Sequence, residues 1–194
     1  MAFVDPYIDP ETGILRNLVG AITYQELHKA EGDIVTLAEI SLDSIPHTVD
    51  LLELRRIHKA LFGKIYDWAG DLRTVDIRKG SEEYFLDYRF LENGAKFVFD
   101  ELGKENSLRG LNRKKFVERL AYSYEQLNFI HPFREGNGRT QRVFRQRVAN
   151  EAGYKIDWSK VVGDELDNAS LVGRVENNLE LSKGMFDGIV SKNA

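Results

Sequence analysis

The chain has 194 residues, of which 42% are hydrophobic and 30% are charged, so it can bury a sizeable core and does not have the composition of a disordered segment. It contains no cysteine, which excludes disulfides and thiolate metal sites. Its net charge of −4, with both signs interspersed, argues against direct nucleic-acid binding or an anionic-membrane surface, and no apolar run is long enough to span a bilayer.

The ends and the organisation of the chain are simple. The first residues show no basic, apolar and small-residue progression typical of a secretory signal, which favours the cytoplasm. No repeats or low-complexity tracts are visible. We therefore expect a single domain over residues 1–194.

The first third of the chain predicts two helices separated by a proline. Residues 9–13 carry turn chemistry, and Thr23 to Glu26 resembles a capping box that opens a helix running to about Leu37. Pro46 interrupts the pattern. Between about residues 49 and 68, apolar side chains recur every three or four positions, which predicts a helix with one buried face. Gly70 is placed to cap its end.

The middle of the chain predicts a short hairpin followed by two helices. Residues 73–77 alternate polar and apolar side chains, and Gly80 follows, which is typical of a strand and a turn. Helices are predicted over about 88–102 and 112–130. Pro132 follows the second of these, and the residue before a proline is disfavoured in helical conformation. His131 should therefore lie at a junction between helix and loop.

The last third predicts more helices. One begins near Gly136 and Gly138, with Asn137 as its cap, and stops at Gly153. The tail, from about 165 to 190, has patchier apolar spacing and predicts one or two helices that cover the core.

Residues 131–142, His-Pro-Phe-Arg-Glu-Gly-Asn-Gly-Arg-Thr-Gln-Arg, carry the chemistry of the sequence. His131 is a candidate general base. The glycines at a helix start offer backbone N–H groups to a polyphosphate. Glu135 can hold Mg²⁺ together with substrate phosphates. Arg139 and Arg142, three residues apart, can bind phosphate oxygens from one helical face. The combination indicates nucleotide chemistry.

Each of these residues has a simpler interpretation. Glu135 could be a charge that stabilises a helix N-terminus, the glycines could form a tight turn, and Arg142 could be a solvated helix residue. The other three histidines are expected to be surface or half-buried residues without a catalytic role. Arg145 and Arg147 are expected to be surface charges, and the two tryptophans core residues. The histidine, glycines and arginines together favour a catalytic site over these separate interpretations.

The dodecamer resembles the motif of the Fic domain family, in which the histidine, phenylalanine, acidic residue, Gly-Asn-Gly-Arg and final arginine stand at fixed positions. The resemblance extends upstream to residues 58–73, which include Tyr-Asp-Trp-Ala-Gly at 66–70. It implies an all-α fold, a helical bundle with a small β-hairpin flap at about 73–87. The length and the residues after the motif are similar to compact bacterial Fic toxins.

The resemblance implies transfer of AMP from ATP to a Tyr, Thr or Ser hydroxyl of a target protein. His131 would accept the hydroxyl proton, and Glu135 would hold Mg²⁺ as cofactor. The phosphates of ATP would be bound by Gly136, Asn137, Gly138, Arg139 and Arg142. Phe133 is expected to point into the core and fix the loop.

The flap of the family aligns a target segment by strand addition, and Val75, Ile77 and Arg78 are the candidates for this role. A kinase-like branch of the family replaces the acidic residue and the first arginine, whereas Glu135 and Arg139 retain the adenylylating form. Two alternatives stay open: transfer of another group such as UMP, and a catalytically silent nucleotide-binding interaction module.

Regulation is a further expectation. Many members of the family carry an inhibitory helix with the motif Ser/Thr-x-x-x-Glu-Gly/Asn, and its glutamate pairs with the last arginine of the Fic motif. This sequence contains no full copy of the inhibitory motif. Glu176-Asn177 has Val172 at the hydroxyl position, and Glu31-Gly32 has Leu27. We therefore expect a small antitoxin that supplies the glutamate in trans to Arg142. Similar toxins modify DNA gyrase and topoisomerase IV subunits, which by analogy are candidate targets.

Overall fold

The computed structural model describes residues 5–79, 84–161, 163–176 and 178–193. Seven α-helices account for most of these residues, and the predicted all-α fold is confirmed. Their bounds are α1 Tyr24–Ala38, α2 Leu51–Phe62, α3 Leu91–Lys104, α4 Arg113–Ile130, α5 Asn137–Glu151, α6 Gly163–Glu176 and α7 Glu180–Ile189. Short 3₁₀ turns lie between several of them.

The predicted helix starts in the first part of the chain agree with the structure, but one end does not. Thr23 caps α1 in a complete capping box with Glu26, which satisfies two otherwise unpaired N–H groups. The helix predicted to continue to residue 68 ends at Phe62 with Gly63 as its cap. Gly70 is therefore not a helix cap, although its φ of +90° requires a residue without a side chain.

Helix α4 is the centre of the core. It packs against α3, α5, α6 and α7, and Asn112 caps its start as its side chain accepts from the Lys115 N–H. Its inward face carries Phe116, Leu120, Tyr124 and Leu127, as predicted, each no more than 2% exposed. Burial of one such side chain stabilises the fold by roughly 1.5–3 kcal/mol, so this helix is a fixed base for the residues that follow it.

The only regular sheet within the described ranges was not predicted. β1 (Tyr154–Ile156) pairs antiparallel with β2 (Val190–Lys192), and it joins the end of α5 to the end of α7. Three-residue strands are too short for an alternation signal to be read from sequence.

The predicted hairpin is largely irregular. The flap segment, which we define as residues 73–79 and 84–87, has a single bridge between Arg78 and Tyr84 and a hydrogen bond from Phe85 N–H to the Ile77 carbonyl. Residues 80–83 of the predicted flap lie outside the described residues. The strand predicted at 73–77 is absent because its polar groups bond elsewhere: Thr74 N–H donates to the Tyr7 hydroxyl, and the Val75 carbonyl accepts from the Arg73 guanidinium.

The prediction that Arg145 and Arg147 are surface charges is wrong. Arg145 is completely buried and donates to the hydroxyl and the carbonyl of Ser123 on α4, and burial lowers its pKa to about 9. Arg147 forms a 2.7 Å ion pair with the fully buried Glu53 and donates to two carbonyls between α1 and α2. Both arginines join α5 to neighbouring elements.

None of the helices in the described ranges combines the length and the apolar character needed to cross a lipid bilayer.

Candidate active site

One cavity of about 330 Å³ collects the candidate base, the candidate metal ligand and the start of α5. His131, Glu135 and Gly138 line it from the motif, and Ile77 and Arg78 line it from the flap segment. Its opposite wall comes from α4 and α6, through Tyr124, Asn128, Leu166 and Ser170. Residues distant in sequence thus enclose a space with a titratable group, a carboxylate and a helix N-terminus.

His131 lies at the junction that the following proline predicts. It is the C-cap of α4 in the left-handed region, with φ +46° and ψ +63°, a conformation that costs a non-glycine residue about 1–2 kcal/mol. Its Nδ1 lies 3.2 Å from the Asn128 carbonyl. Because a carbonyl can only accept, Nδ1 carries the proton, and the neutral ring keeps Nε2 as an acceptor. The ring also stacks on Phe85, with centroids 3.8 Å apart.

The loop between α4 and α5 is closed by a side-chain amide. The Asn137 side chain accepts from Phe133 N–H at 2.9 Å and donates to the Phe133 carbonyl at 2.8 Å. The prediction that Asn137 caps α5 is therefore wrong, because its amide is committed to the loop and Gly136 is the N-cap. Phe133 is fully buried, as expected.

The start of α5 keeps its N–H groups for a ligand. The first three residues of an α-helix, here 137–139, have no carbonyl partner within the helix, and no side-chain cap occupies this end. The Gly136 N–H instead donates to Glu135 Oε1 at 2.9 Å. Aligned N–H groups and the helix dipole favour an anion at this position.

Glu135 fits a magnesium ion that is bound mainly through a nucleotide. It lines both the cavity of His131 and a second cavity, and its side chain is 43% exposed. Within the described residues there is no cluster of three His, Asp or Glu side chains that could hold a metal without a substrate. A single half-exposed carboxylate suits Mg²⁺, which keeps several waters and takes phosphate oxygens as ligands.

The two motif arginines line different spaces. Arg139 lines the second cavity, of about 360 Å³, where its guanidinium lies 2.5 Å from Glu31 on α1 and 4.7 Å from the centre of the Phe62 ring. Arg142 lies one turn further along α5, 5.8 Å above the Trp158 ring, and lines a third cavity of about 400 Å³. Neither lines the cavity of His131 in this structure.

Glu31 is a site residue whose contacts with the motif the sequence did not predict. It is 5% exposed although acidic, accepts from the Tyr66 hydroxyl, and pairs with Arg139 on its other oxygen. Burial, with the Glu31 hydrogen bond, raises the pKa of Tyr66. The resulting chain of hydrogen bonds fixes the position of Arg139 beside the motif loop.

The three flap candidates differ in accessibility. Val75 is 4% exposed and belongs to the core, and its carbonyl accepts from Arg73. Ile77 is half-buried, and the exposed Arg78 lies 5.4 Å from the Tyr84 ring. Ile77 and Arg78 are therefore the candidates that face the cavity.

His58 is the second histidine of the site, and the prediction of a surface or half-buried residue is wrong for it. It is completely buried and stacks on Phe133 with centroids 3.9 Å apart. Gly70 N–H donates to Nδ1 at 2.8 Å, so Nε2 carries the proton and donates to the Glu135 carbonyl at 2.9 Å. His58 therefore fixes the backbone beside the candidate metal ligand, and burial lowers its pKa to about 4.

We expect His58 to make the fold acid-sensitive. Because its pKa is about 4 when folded and about 6.5 when unfolded, the unfolded chain binds the extra proton, and stability falls as the pH drops from about 6.5 towards 4. Urea unfolding of the wild type and His58→Asn from pH 8 to pH 4.5 measures this. The advantage of the wild type should be greatest above pH 6.5 and should shrink in acid. A pH-independent difference between the two proteins would contradict the assignment.

A known protein family matches the part of the chain that contains the candidate site. The family model described as "Fic/DOC family" matches residues 48–149, which include α2, the flap segment and the whole motif. The matched region is more than half of the chain.

Curated relatives are similar over most of the chain. "Protein adenylyltransferase VbhT" of Bartonella schoenbuchensis is 43% identical over 169 residues, covering 86% of this chain and 35% of its own length. "Probable protein adenylyltransferase Fic" of Escherichia coli is 35% identical over 188 residues, covering 97% of this chain and 93% of its own length. The chain thus spans about a third of the first relative and nearly all of the second.

A solved structure of similar fold carries a nucleotide analogue. The BepC protein of Bartonella tribocorum, with bound AMPPNP, superimposes with a TM-score of 0.92 at 26% identity, covering 97% of both chains. A Fic domain from Bartonella quintana with bound ADP gives the same TM-score at 28% identity, covering 96% of this chain and 95% of its own.

Proposed function

The chain belongs to the Fic/DOC family, and on that premise we propose that it is a protein adenylyltransferase, which transfers AMP from ATP to a Tyr, Thr or Ser hydroxyl of a target protein. The observation that carries the proposal is the cavity that His131, Glu135 and the start of α5 line together. The adenylyltransferase names of the relatives and the nucleotides bound in the solved structures support it.

His131 is the proposed general base. As the hydroxyl oxygen of the target forms a bond to the α-phosphorus of ATP, its proton passes to Nε2, and the bond to the pyrophosphate oxygen breaks. AMP is then attached to the target, and pyrophosphate leaves. The bond from Nδ1 to the Asn128 carbonyl favours the tautomer in which Nε2 is the acceptor nitrogen.

The α5 N-terminus is the proposed phosphate site. Backbone N–H groups of Asn137 and Gly138 bind the polyphosphate, while Gly136, whose N–H donates to Glu135, forms the turn that aims them. Arg139 supplies positive charge from the neighbouring cavity. Arg142, one turn further along α5, is the proposed ligand for the far end of the triphosphate. Mg²⁺, held by Glu135, would offset the charge that develops on the leaving pyrophosphate.

Ile77 and Arg78 are the proposed docking residues for the target, because they line the cavity of His131 at its open edge. Main-chain pairing along this segment would present a hydroxyl to the base while reading little target sequence.

We also propose that the chain is the toxin of a toxin–antitoxin pair, with the inhibitory glutamate supplied by a small partner. Glu31, one of the two partial matches to the inhibitory motif, pairs with Arg139 and not with Arg142 within the described residues, so it does not take the place of that glutamate. Copurification with the product of the neighbouring gene, together with ATP binding by each form, tests this. An isolated chain that its own C-terminal helices already silence would count against it.

Mass spectrometry of a bacterial lysate tests the proposed activity. The lysate is incubated with the purified chain, Mg²⁺ and either ATP or UTP. The expected result is an AMP adduct on Tyr, Thr or Ser that requires ATP and disappears when EDTA is added. A UMP adduct with UTP as the preferred substrate would replace the nucleotide assignment. Binding of ATP without any adduct would favour a silent interaction module.

A further inference from the structure

Arg73 makes an unusual set of contacts behind the cavity. It is 2% exposed, and every hydrogen bond that its guanidinium makes to a described residue goes to a backbone carbonyl. Nε donates to His131 at 2.9 Å, NH1 to Val75 at 2.7 Å, and NH2 to Ile130 at 3.2 Å and also to Leu86. Its own N–H donates to the Pro132 carbonyl at 2.9 Å.

The accepting carbonyls belong to two parts of the site. His131 and Ile130 form the end of α4, where the candidate base is held. Val75 and Leu86 lie on the two arms of the flap segment, on either side of residues 80–83. A planar guanidinium holds its donors in a fixed geometry, so one side chain sets the distance between the base and both arms of the flap.

This arrangement has an energetic cost that a simple core residue would avoid. A buried cation is costly unless it is paired. The carboxylate that pairs with Arg73 within the described residues, Asp76, lies 3.8 Å from the guanidinium, and its side chain is 43% exposed. Burial accordingly lowers the pKa of Arg73 to about 10. A neutral side chain could fill the same space at lower cost, but it could not engage four carbonyls.

We infer that Arg73 is a positioning residue that locks the flap segment and His131 into one arrangement, so that a target aligned on the flap meets the base at the correct distance. The inference rests on the proposed adenylyltransferase function. Arg73 touches neither nucleotide nor target in this role. It acts through the backbone of the residues that do.

The expected effect on the rate follows from how little displacement of reacting groups an active site tolerates. A misplacement of about 1 Å can lower a rate on the order of 100-fold. Loss of Arg73 should therefore lower the rate of transfer at saturating ATP and leave the KM for ATP unchanged, because the N–H groups of α5 are not among its contacts.

Two substitutions and a matched control test the inference. Initial rates of AMP transfer to lysate proteins are measured with labelled ATP for the wild type, Arg73→Lys, Arg73→Met and Arg145→Lys. Lysine keeps a cation with fewer fixed donors and should retain roughly a tenth of the rate, and methionine roughly a hundredth. Arg145 is equally buried but lines neither the cavity of His131 nor that of Arg139. Its lysine variant should lose stability without this loss of rate.

Nitrogen NMR of the His131 ring provides a readout that general destabilisation does not move. The proton on Nδ1 should be detected in the wild type and in Arg145→Lys, and its signal should shift or broaden in both Arg73 variants. Unchanged rates and ring signals in Arg73→Lys and Arg73→Met would overturn the inference, as would an equal loss of rate in Arg145→Lys.

Amide exchange of the wild-type chain keeps the inference testable if the Arg73 variants do not fold. Three backbone N–H groups report on the contact: that of Leu86, which donates to the Phe129 carbonyl, and those of Arg73 and His131. If Arg73 couples the flap segment to the end of α4, all three should exchange at rates set by one shared opening. Exchange of Leu86 more than about tenfold faster than that of His131 would overturn the coupling. A wild type that transfers no AMP would refute the proposed function and leave this physical result standing.

Discussion

Substitution of His131 by alanine or by asparagine is expected to lower the rate of AMP transfer by about 10²–10⁴-fold, the usual contribution of a general base. The two variants differ in how they affect the backbone at this position and the hydrogen bond to Asn128. Alanine is strained at φ +46° and loses the hydrogen bond to Asn128. Asparagine tolerates the left-handed region, and its side-chain N–H can still donate to that carbonyl. It therefore removes the base and keeps the backbone.

Calorimetric ATP titration and thermal unfolding accompany the rate measurement. His131→Asn should bind ATP and unfold like the wild type, while His131→Ala should unfold at a lower temperature. Equal loss of transfer in both would assign the effect to the missing base. Transfer by His131→Asn at a rate near that of the wild type would refute the assignment of His131.

Local sequence signals were sufficient to predict most of the helices, although not the end of α2 or the cap of α5, and to predict the position of the base. The capping box at Thr23 and the apolar spacing along α4 are interactions between neighbours in sequence. The position of His131 at the end of α4 was also predictable, because the adjacent Pro132 disfavours helical conformation at the residue before it. Its left-handed backbone was not predictable from that rule, which favours extended backbone.

The features that were missed depend on contacts between distant residues. The buried positions of His58 and Arg145, and the pairing of Glu31 with Arg139, join elements separated by 22 to 108 residues. Nothing in the local pattern distinguishes these side chains from charges on a solvated helix face. The buried position of Arg73 was missed for the same reason. The alternating side chains around it predicted a strand, but its guanidinium donates to the carbonyls of Val75 and Leu86 in the predicted hairpin.

Two of these distant contacts hold the candidate active site in the same way. The proposed chemical groups, His131 and Glu135, lie on the loop between the end of α4 and the start of α5. Arg73 fixes the carbonyl of the first, and His58 fixes the carbonyl of the second. Both supporting residues are buried, whereas His131 and Glu135 are only partly buried. The backbone of each proposed chemical group is therefore held by a buried side chain, while the group itself lines the cavity.

The two glycines of the motif should respond differently to the same substitution. Gly136 has φ +78°, and an added Cβ would lie 2.5 Å from the ring of Phe62, which is fully buried and cannot move aside. Strain and overpacking together should destabilise Gly136→Ala by about 3 kcal/mol. A Cβ on Gly138 meets nothing within 4 Å, and alanine is the better helix former by roughly 1 kcal/mol. Gly138→Ala should therefore be at least as stable as the wild type.

Both variants should nevertheless bind ATP more weakly, for different reasons. In Gly136→Ala the displaced turn moves the N–H groups at the start of α5. In Gly138→Ala the new methyl group occupies the wall of the cavity that His131 shares. Urea unfolding and ATP titration measure the two effects separately. Phe62→Leu combined with Gly136→Ala should recover part of the lost stability, because a smaller side chain relieves the contact. A Gly138→Ala protein with unchanged ATP affinity would mean that the phosphates bind elsewhere, since a stable fold with a narrowed cavity leaves no other explanation.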